Sequence, residues 1–139
     1  MIRGMLQRGE TVLIHAAAGG LGLMAVQIAK AIGARVIATA GSKQKLEVAK
    51  LFGADECVSY DDGEWWKTVL ELTNREGVDV VYDSVGLVDK SLKCLKHKGR
   101  VLVIGFAGTG EEIEKIAMNR VLLKQAQIIG YVSDLTLMG

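Results

Sequence analysis

Two rhythms of apolar and polar positions alternate along this chain. "TVLIHA" (Thr11–Ala16) is a short apolar, β-branched run. "RVIATA" (Arg35–Ala40), "CVSY" (Cys57–Tyr60), "VDVVYDSVG" (Val78–Gly86), "RVLVIGF" (Arg100–Phe106) and "AQIIGYV" (Ala126–Val132) repeat the type. Their length and composition predict six strands. Between them the spacing changes. "GLMAVQIAKAIG" puts Leu23, Val26, Ile28, Ala29 and Ile32 at helical intervals and closes on Gly33. "SKQKLEVAKLFG" offers Ser42 as an N-cap and ends at Gly53. A third helix is expected from Asp62 to Arg75. A fourth, "LVDKSLKCLKHKG", carries Leu87, Ser91, Leu92 and Leu95 on one face and runs to Gly99. "EIEKIAMNRVLLKQ" carries one or two short helices.

Strands that are apolar on both faces, each followed by a helix, mean a parallel sheet covered on both sides. Right-handed crossovers leave few ways to wind it. The expected fold is a single α/β domain over residues 1–139, a doubly wound parallel sheet of six strands in the order 3-2-1-4-5-6. Its ligand crevice lies at the carboxyl ends of the strands.

Composition narrows the function. The chain has 139 residues, half of them apolar, no proline, and a net charge of +1. That balance gives no electrostatic case for nucleic acid or an anionic membrane. No window of ~18 residues is uninterrupted by polar groups. "MIRGMLQRGE" lacks the apolar core of a signal peptide. Cys57 and Cys94 are isolated and, with only two His, form neither a disulfide framework nor a zinc site. Both read as small core residues in a reducing, cytoplasmic setting. A mitochondrial one stays open if the natural N-terminus is missing.

The chemistry concentrates in Ala17-Ala18-Gly19-Gly20-Leu21-Gly22, between the first strand and the first helix. It fits G-x-G-x-x-G with Ala17 in the first glycine's place. Gly19 would let the backbone approach a pyrophosphate, and Gly22 would let helix and strand pack closely. The bland alternative is a tight turn and nothing more. No G-x-x-x-x-G-K-[ST] occurs, which excludes a P-loop.

The second strand bears on which nucleotide. NAD-binding domains place an acid there to hold the ribose hydroxyls. This chain has "ATAGSKQK", Ala38 to Lys45, with no acid before Glu47. Ser42, Lys43 and Lys45 could instead bind a 2′-phosphate, so NADP(H) is favoured over NAD(H). Read as a solvated helix face, the lysines need no ligand, but the missing acid is then unexplained. A domain binding S-adenosylmethionine would also want an acid after the second strand.

Several blocks together resemble the medium-chain dehydrogenase/reductase superfamily, in its zinc-free quinone oxidoreductase (zeta-crystallin-like) branch. They are "GETVLIHAAAGGLGLMAVQIAKAIGARVIATAGS", "GADECVSY", "GVDVVYDSVG", "GRVLVIGFAG" and "NRVLLK", in that order from Gly9 to Gly130. The resemblance implies a Rossmann-type domain and NADPH-dependent hydride transfer to quinones or other activated enones. It puts Gly41, Ser42, Lys45 and Tyr60 around the 2′-phosphate. It sets Ser84 and Gly86 beside the adenosine, and Gly105, Phe106 and Ala107 near the nicotinamide. Tyr60 could equally be a strand-end tyrosine, and Phe106 a core aromatic.

Members of that branch also carry a catalytic domain before the cofactor domain and a return segment after it. Neither is present in this sequence. "MIRGMLQRGE" looks like the tail of the linking helix, so the chain resembles an excised cofactor domain or a truncated paralogue. A non-catalytic NADP(H)-binding regulator is the alternative function. The apolar run "QIIGYV" reads as an edge strand that invites a copy of itself, and the resemblance likewise implies a homodimer through it.

Other catalytic signals are missing. No tyrosine has a lysine four residues on, and no G-x-S-x-G elbow occurs. His15 near the end of the first strand is more often a satisfied strand residue than a ligand-binding one. His97 sits in "KHKG" at the end of the expected fourth helix. Asp83 in "YDSVG" suits a structural hydrogen bond better than a general base. Of Trp65 and Trp66, adjacent on one helix, only one can face the sheet.

Overall fold

The structure is a computed structural model that describes residues 2–106 and 112–131. Ala107, Val132 and most of "GTGEE" lie outside the described residues. Six strands, β1 (Thr11–Ile14), β2 (Arg35–Ala40), β3 (Glu56–Ser59), β4 (Val78–Asp83), β5 (Leu95–Val103) and β6 (Gln127–Gly130), pair in parallel in the order β3-β2-β1-β4-β5-β6. This is the expected winding. The order reverses between β1 and β4, where Val12 to Ile14 lie opposite Val80 to Tyr82.

Side chains alternate across the strands, so each strand supplies both faces. Val12, Ile14, Val36, Ala38, Val80 and Tyr82 enter one core, with Ala25, Val26 and Ala29 of α2 (Gly20–Ile32) and Ala49 of α3 (Lys43–Leu51). Leu13, Ile37, Val58, Val81 and Val101 enter the other. There they meet Trp65 and Val69 of α4 (Trp65–Leu72) and Val88 and Leu92 of α5 (Val88–Leu92). Trp65 is the tryptophan that faces the sheet; Trp66 is half-buried beneath the ammonium groups of Lys90 and Lys93. A short α1 (Ile2–Met5) seals the first core with Ile2, and α6 (Met118–Lys124) lies against β5. Gly22, Ala25, Val26 and Ala29 make up α2's buried face, and short side chains suit a close approach of helix and sheet.

Two caps match the sequence pattern. Gly33 ends α2 in the left-handed region at φ 96°. Ser42 caps α3 by accepting the Lys45 amide at 3.2 Å.

The expected fourth helix is corrected. It stops at Leu92, and β5 starts at Leu95 rather than Arg100. Leu92 and Leu95 are both fully buried, and their spacing is met as well by a helix end followed by a strand as by one continuous helix. The intervening Lys96-His97-Lys98-Gly99 has no apolar face to hold a helix down. It bulges instead: Val78 lies opposite Leu95 but Val80 opposite Arg100, with Lys98 at φ 65°.

The third helix is also shorter than expected. Tyr60–Asp62 forms a 3₁₀ turn before it, and Asn74 and Arg75 turn left-handed after it, at φ 55° and 66°. Among the described residues, the segment before β6 holds one helix, α6.

Candidate functional site at the carboxyl ends of the strands

β1 ends at Ile14, two residues before the expected exit, because the chain turns sharply over His15–Ala18. Ala16 sits in the left-handed region at φ 51°, an uncommon conformation for a residue with a Cβ. Its carbonyl accepts from the Gly19 amide at 3.0 Å and lies against α2. A Cβ on Gly22 would overlap that carbonyl oxygen and stand 2.8 Å from Ala17 Cα. The absent side chain is what lets α2 rest on the turn.

Gly19 is the N-cap of α2, yet no side chain caps the helix and no acid lies in its first turn. The amides of Gly20, Leu21 and Gly22 therefore keep their donors for an outside acceptor, at the positive end of a 13-residue helix. Ala17 has a different role. It is fully buried, donates its amide to the Thr39 carbonyl at 3.1 Å, and seats Gly22.

Four of the expected residues, Gly19, Gly41, Lys45 and Tyr60, line one cavity of 390 Å³. Ala16, Ala18, Ala40 and Val85 complete it. Lys45 is exposed and, among the described residues, has no carboxylate partner. No acid follows β2 before Glu47. Leu21 is largely exposed on the first turn of α2. Ser42 stands beside Gly41 with its hydroxyl oxygen engaged in the cap of α3.

A second cavity, also of 390 Å³, opens beyond β4, β5 and β6. Gly86, Gly105 and Phe106 line it with Val88, Val103, Ile113, Ile116 and Ile128. Phe106 is 69 % exposed, not a core aromatic. Ser84 lines neither cavity; its carbonyl supports Gly105, where a Cβ would come within 3.2 Å. Val85 faces the first cavity and Gly86 the second, so the loop after β4 divides them.

Asp83 shapes that divider. Fully buried, its carboxylate accepts from the amides of Val85 at 2.7 Å, Gly86 at 3.0 Å and Leu87 at 2.7 Å. The structural role expected of it is the one observed.

His15 is likewise fully buried and satisfied. Nδ1 lies 2.8 Å from both Thr39 Oγ1 and Tyr60 Oη, and Nε2 lies 2.8 Å from Ser91 Oγ. Burial lowers its pKa from 6.5 to about 4, against the raising effect of Asp83. Burial pushes Tyr60 up to about 12. No motif in the sequence gives Thr39 or Ser91 a role at this site. The available signal was a hydroxyl at an otherwise apolar position, in "RVIATA" and on the leucine face of "LVDKSLKCL".

The surroundings of both thiols disfavour the thiolate. Burial raises both pKa values, Cys94 to about 12. Cys94 lies in the core, whereas Cys57 is half-buried.

A neutral buried histidine makes stability depend on acid. The unfolded chain takes up a proton near pH 6.5 and the folded chain only near pH 4. This contribution is full above pH 6.5 and is lost as pH falls toward 4. We expect a loss on the order of 3 kcal/mol across that window. Urea unfolding between pH 7 and 4.5 measures it, and His15→Gln should flatten the slope. An equal slope in both proteins would refute this source.

An uncapped glycine turn at the switch point of a 3-2-1-4-5-6 sheet, with cavities on either side, defines a Rossmann-type α/β domain. Residues 20–134 match the model of the family described as zinc-binding dehydrogenase. The chain belongs to that family, within the medium-chain dehydrogenase/reductase superfamily, and corresponds to the cofactor-domain region of its zinc-free quinone oxidoreductase type. Among the described residues, no group of three or more His, Cys, Asp or Glu could hold a metal ion. These residues do not fit the zinc of the family's description.

Quinone oxidoreductase-like protein 2 of Bos taurus is 40 % identical over 131 residues, covering 92 % of this chain and 37 % of the relative. A 2-haloacrylate reductase of a Burkholderia species is 43 % identical over 101 residues, covering 71 % and 30 %. The crystal structure of Escherichia coli quinone oxidoreductase complexed with NADPH superposes with a TM-score of 0.80 at 33 % identity, over 91 % of this chain and 39 % of that one. The chain thus spans about a third of the length of such relatives.

Proposed function

We propose that this chain is the NADP(H)-binding domain of a zinc-independent oxidoreductase that passes hydride to quinones or related activated enones. The observation that carries the reading is the cavity beside β2. Lys45 lies on it without a carboxylate partner among the described residues, Gly41 leaves its wall open, and no acid stands where a ribose-binding one would be. The named relatives support the reaction class, and the Escherichia coli structure supports the cofactor.

The residues divide the cofactor among them. The Gly20, Leu21 and Gly22 amides meet the pyrophosphate, and Gly19 gives the backbone room to approach. Ser42 and Lys45 hold the 2′-phosphate. Tyr60, which the resemblance set beside the 2′-phosphate, flanks the adenosine side with Val85, whereas Ser84, expected at the adenosine, lines neither cavity. Gly105 and Phe106 border the nicotinamide side together with Gly86, which lines the second cavity rather than the adenosine side where the resemblance set it; Ala107 is assigned there by the resemblance alone. A bound dihydronicotinamide supplies the hydride. The protein's task is to orient it and exclude water, more than to move a proton.

Calorimetric titration with NADPH and NADH tests this. NADPH should bind the tighter. Lys45→Ala should weaken NADPH by ~10- to 100-fold, equivalent to about 1.5–3 kcal/mol, and leave NADH nearly unchanged. Equal losses for both would refute the phosphate contact.

We further propose a homodimer through β6. Its Ile128 and Ile129 are only half-buried, and Met118, Leu122 and Leu123 of neighbouring α6 are exposed. Light scattering after size exclusion should give twice the chain mass; a monomer at high concentration counts against the interface. Unpaired Cys57 and Cys94 suit a reducing cytoplasm. No helix among the described residues is long and apolar enough to cross a membrane.

A further inference from the structure

The buried polar cluster beneath the glycine turn is more elaborate than packing alone requires. His15, Thr39 and Ser91 are fully buried, and each comes from a different part of the fold: the turn after β1, β2 and α5. Tyr60 joins them from the turn after β3, and Trp65 of α4 closes the ring edge-on at 4.9 Å. Polar groups buried this way gain little net stability over apolar ones of the same shape, but they cost much if left unpaired. Among the described residues, no buried side-chain nitrogen or oxygen lacks a partner.

The hydrogen bonds determine the imidazole's tautomer. The Ser91 hydroxyl donates to the Leu87 carbonyl at 2.6 Å. Its single proton is thereby committed, so at 2.8 Å from Nε2 it can only accept. His15 is then protonated on Nε2, and Nδ1 is an acceptor. Tyr60 Oη and Thr39 Oγ1 stand 2.8 Å from Nδ1 and 2.6 Å from each other. Their two protons serve one bond to Nδ1 and one bond between the hydroxyls. The opposite tautomer would present a donor to two hydroxyls and leave Nε2 facing a hydroxyl with no proton to give.

Only Tyr60 among these groups also lines the crevice, with Gly41 and Lys45. The cluster therefore reaches the candidate cofactor site at one side chain.

We propose that His15 is a positioning residue for the adenosine side of the crevice: as the Nε2–H tautomer, held by Ser91, it fixes Tyr60 in the cavity wall. The inference rests on the NADP(H) reading above, and it assigns His15 no contact with the cofactor. Histidine acts through the tyrosine hydroxyl, and Ser91 acts through the histidine.

A double-mutant cycle read by NADPH affinity tests the assignment. His15→Gln and Tyr60→Phe should each weaken NADPH on the order of ten-fold. His15→Gln made in the Tyr60→Phe background should add less than about two-fold, because the link is already cut. Full additivity, or no loss in His15→Gln, overturns the proposal. If His15→Gln does not fold, Ser91→Ala replaces it in the same cycle with the same expectations. Nitrogen NMR of the imidazole supplies a readout that simple loss of packing does not move. Nε2–H should be the protonated nitrogen in the wild type, and Ser91→Ala should shift population toward Nδ1–H. An Nδ1–H wild type overturns the proposal. Failure of wild-type chain to bind NADPH would instead remove the cofactor reading on which the inference stands, while leaving the tautomer result to be read independently.

Discussion

Gly22→Val will destabilise the chain by about 3 kcal/mol and abolish dinucleotide binding. The first methyl alone would overlap the Ala16 carbonyl oxygen and stand 2.8 Å from Ala17 Cα and 3.0 Å from its carbonyl carbon. These are backbone atoms, so no rotamer change relieves the clash. Ala16 is already left-handed at φ 51°, and Ala17 is tied to Thr39. Helix α2 must therefore lift from the sheet, opening the core around Val26 and Ala29. Overpacking costs about 1–3 kcal/mol, and a β-branched residue adds crowding in the helix.

A loss of that size lowers the thermal midpoint by about 10 °C in a chain of this length. It also moves the Gly20–Gly22 amides away from any pyrophosphate. Gly20 provides the contrast, because a Cβ there meets nothing within 4 Å. Gly20→Ala should leave stability unchanged or raise it by up to ~1 kcal/mol through helix propensity. Differential scanning calorimetry of both variants decides the matter. Unchanged stability in Gly22→Val would mean that α2 does not rest on Ala16 and Ala17.

Asp83→Ala should cost on the order of 3–5 kcal/mol, a large part of the stability of a domain this size. The substitution leaves the amides of Val85, Gly86 and Leu87 without their acceptor and empties the space the carboxylate held. Each unsatisfied buried donor costs about 1–3 kcal/mol, less where water enters. Because Val85 and Gly86 face opposite cavities, losing the divider should also loosen both halves of the crevice. Asp83→Asn keeps one carbonyl oxygen and should fall between. Urea unfolding gives the stability, and hydrogen exchange should show faster amides at residues 85–87. A loss below 1 kcal/mol would show that the loop holds its shape without the carboxylate.

Much of the fold was legible because its signals are local. β2 runs from Arg35 to Ala40 as its composition predicts, Ser42 caps α3, and Gly33 ends α2. Alternating strands and helices with apolar strands allow few windings, and the observed order is the expected one. The candidate site was legible for a similar reason. Small residues between a strand and a helix, and a missing acid after β2, are absences that composition alone reveals.

Other features depend on what distant segments place opposite one another. The sequence by itself determined the βα alternation, the glycine turn and the lysine beside it, since each follows from residues close in the chain. Only the tertiary structure decided that helix α5 yields to a strand at Leu95, that Asp83 divides two cavities, and that Thr39, Tyr60 and Ser91 close around His15. Leu95 is drawn into β5 by its pairing with Val78. The partners of His15 lie 24, 45 and 76 residues away. A buried hydroxyl or imidazole is stable only where such partners meet it, and no local pattern records that meeting.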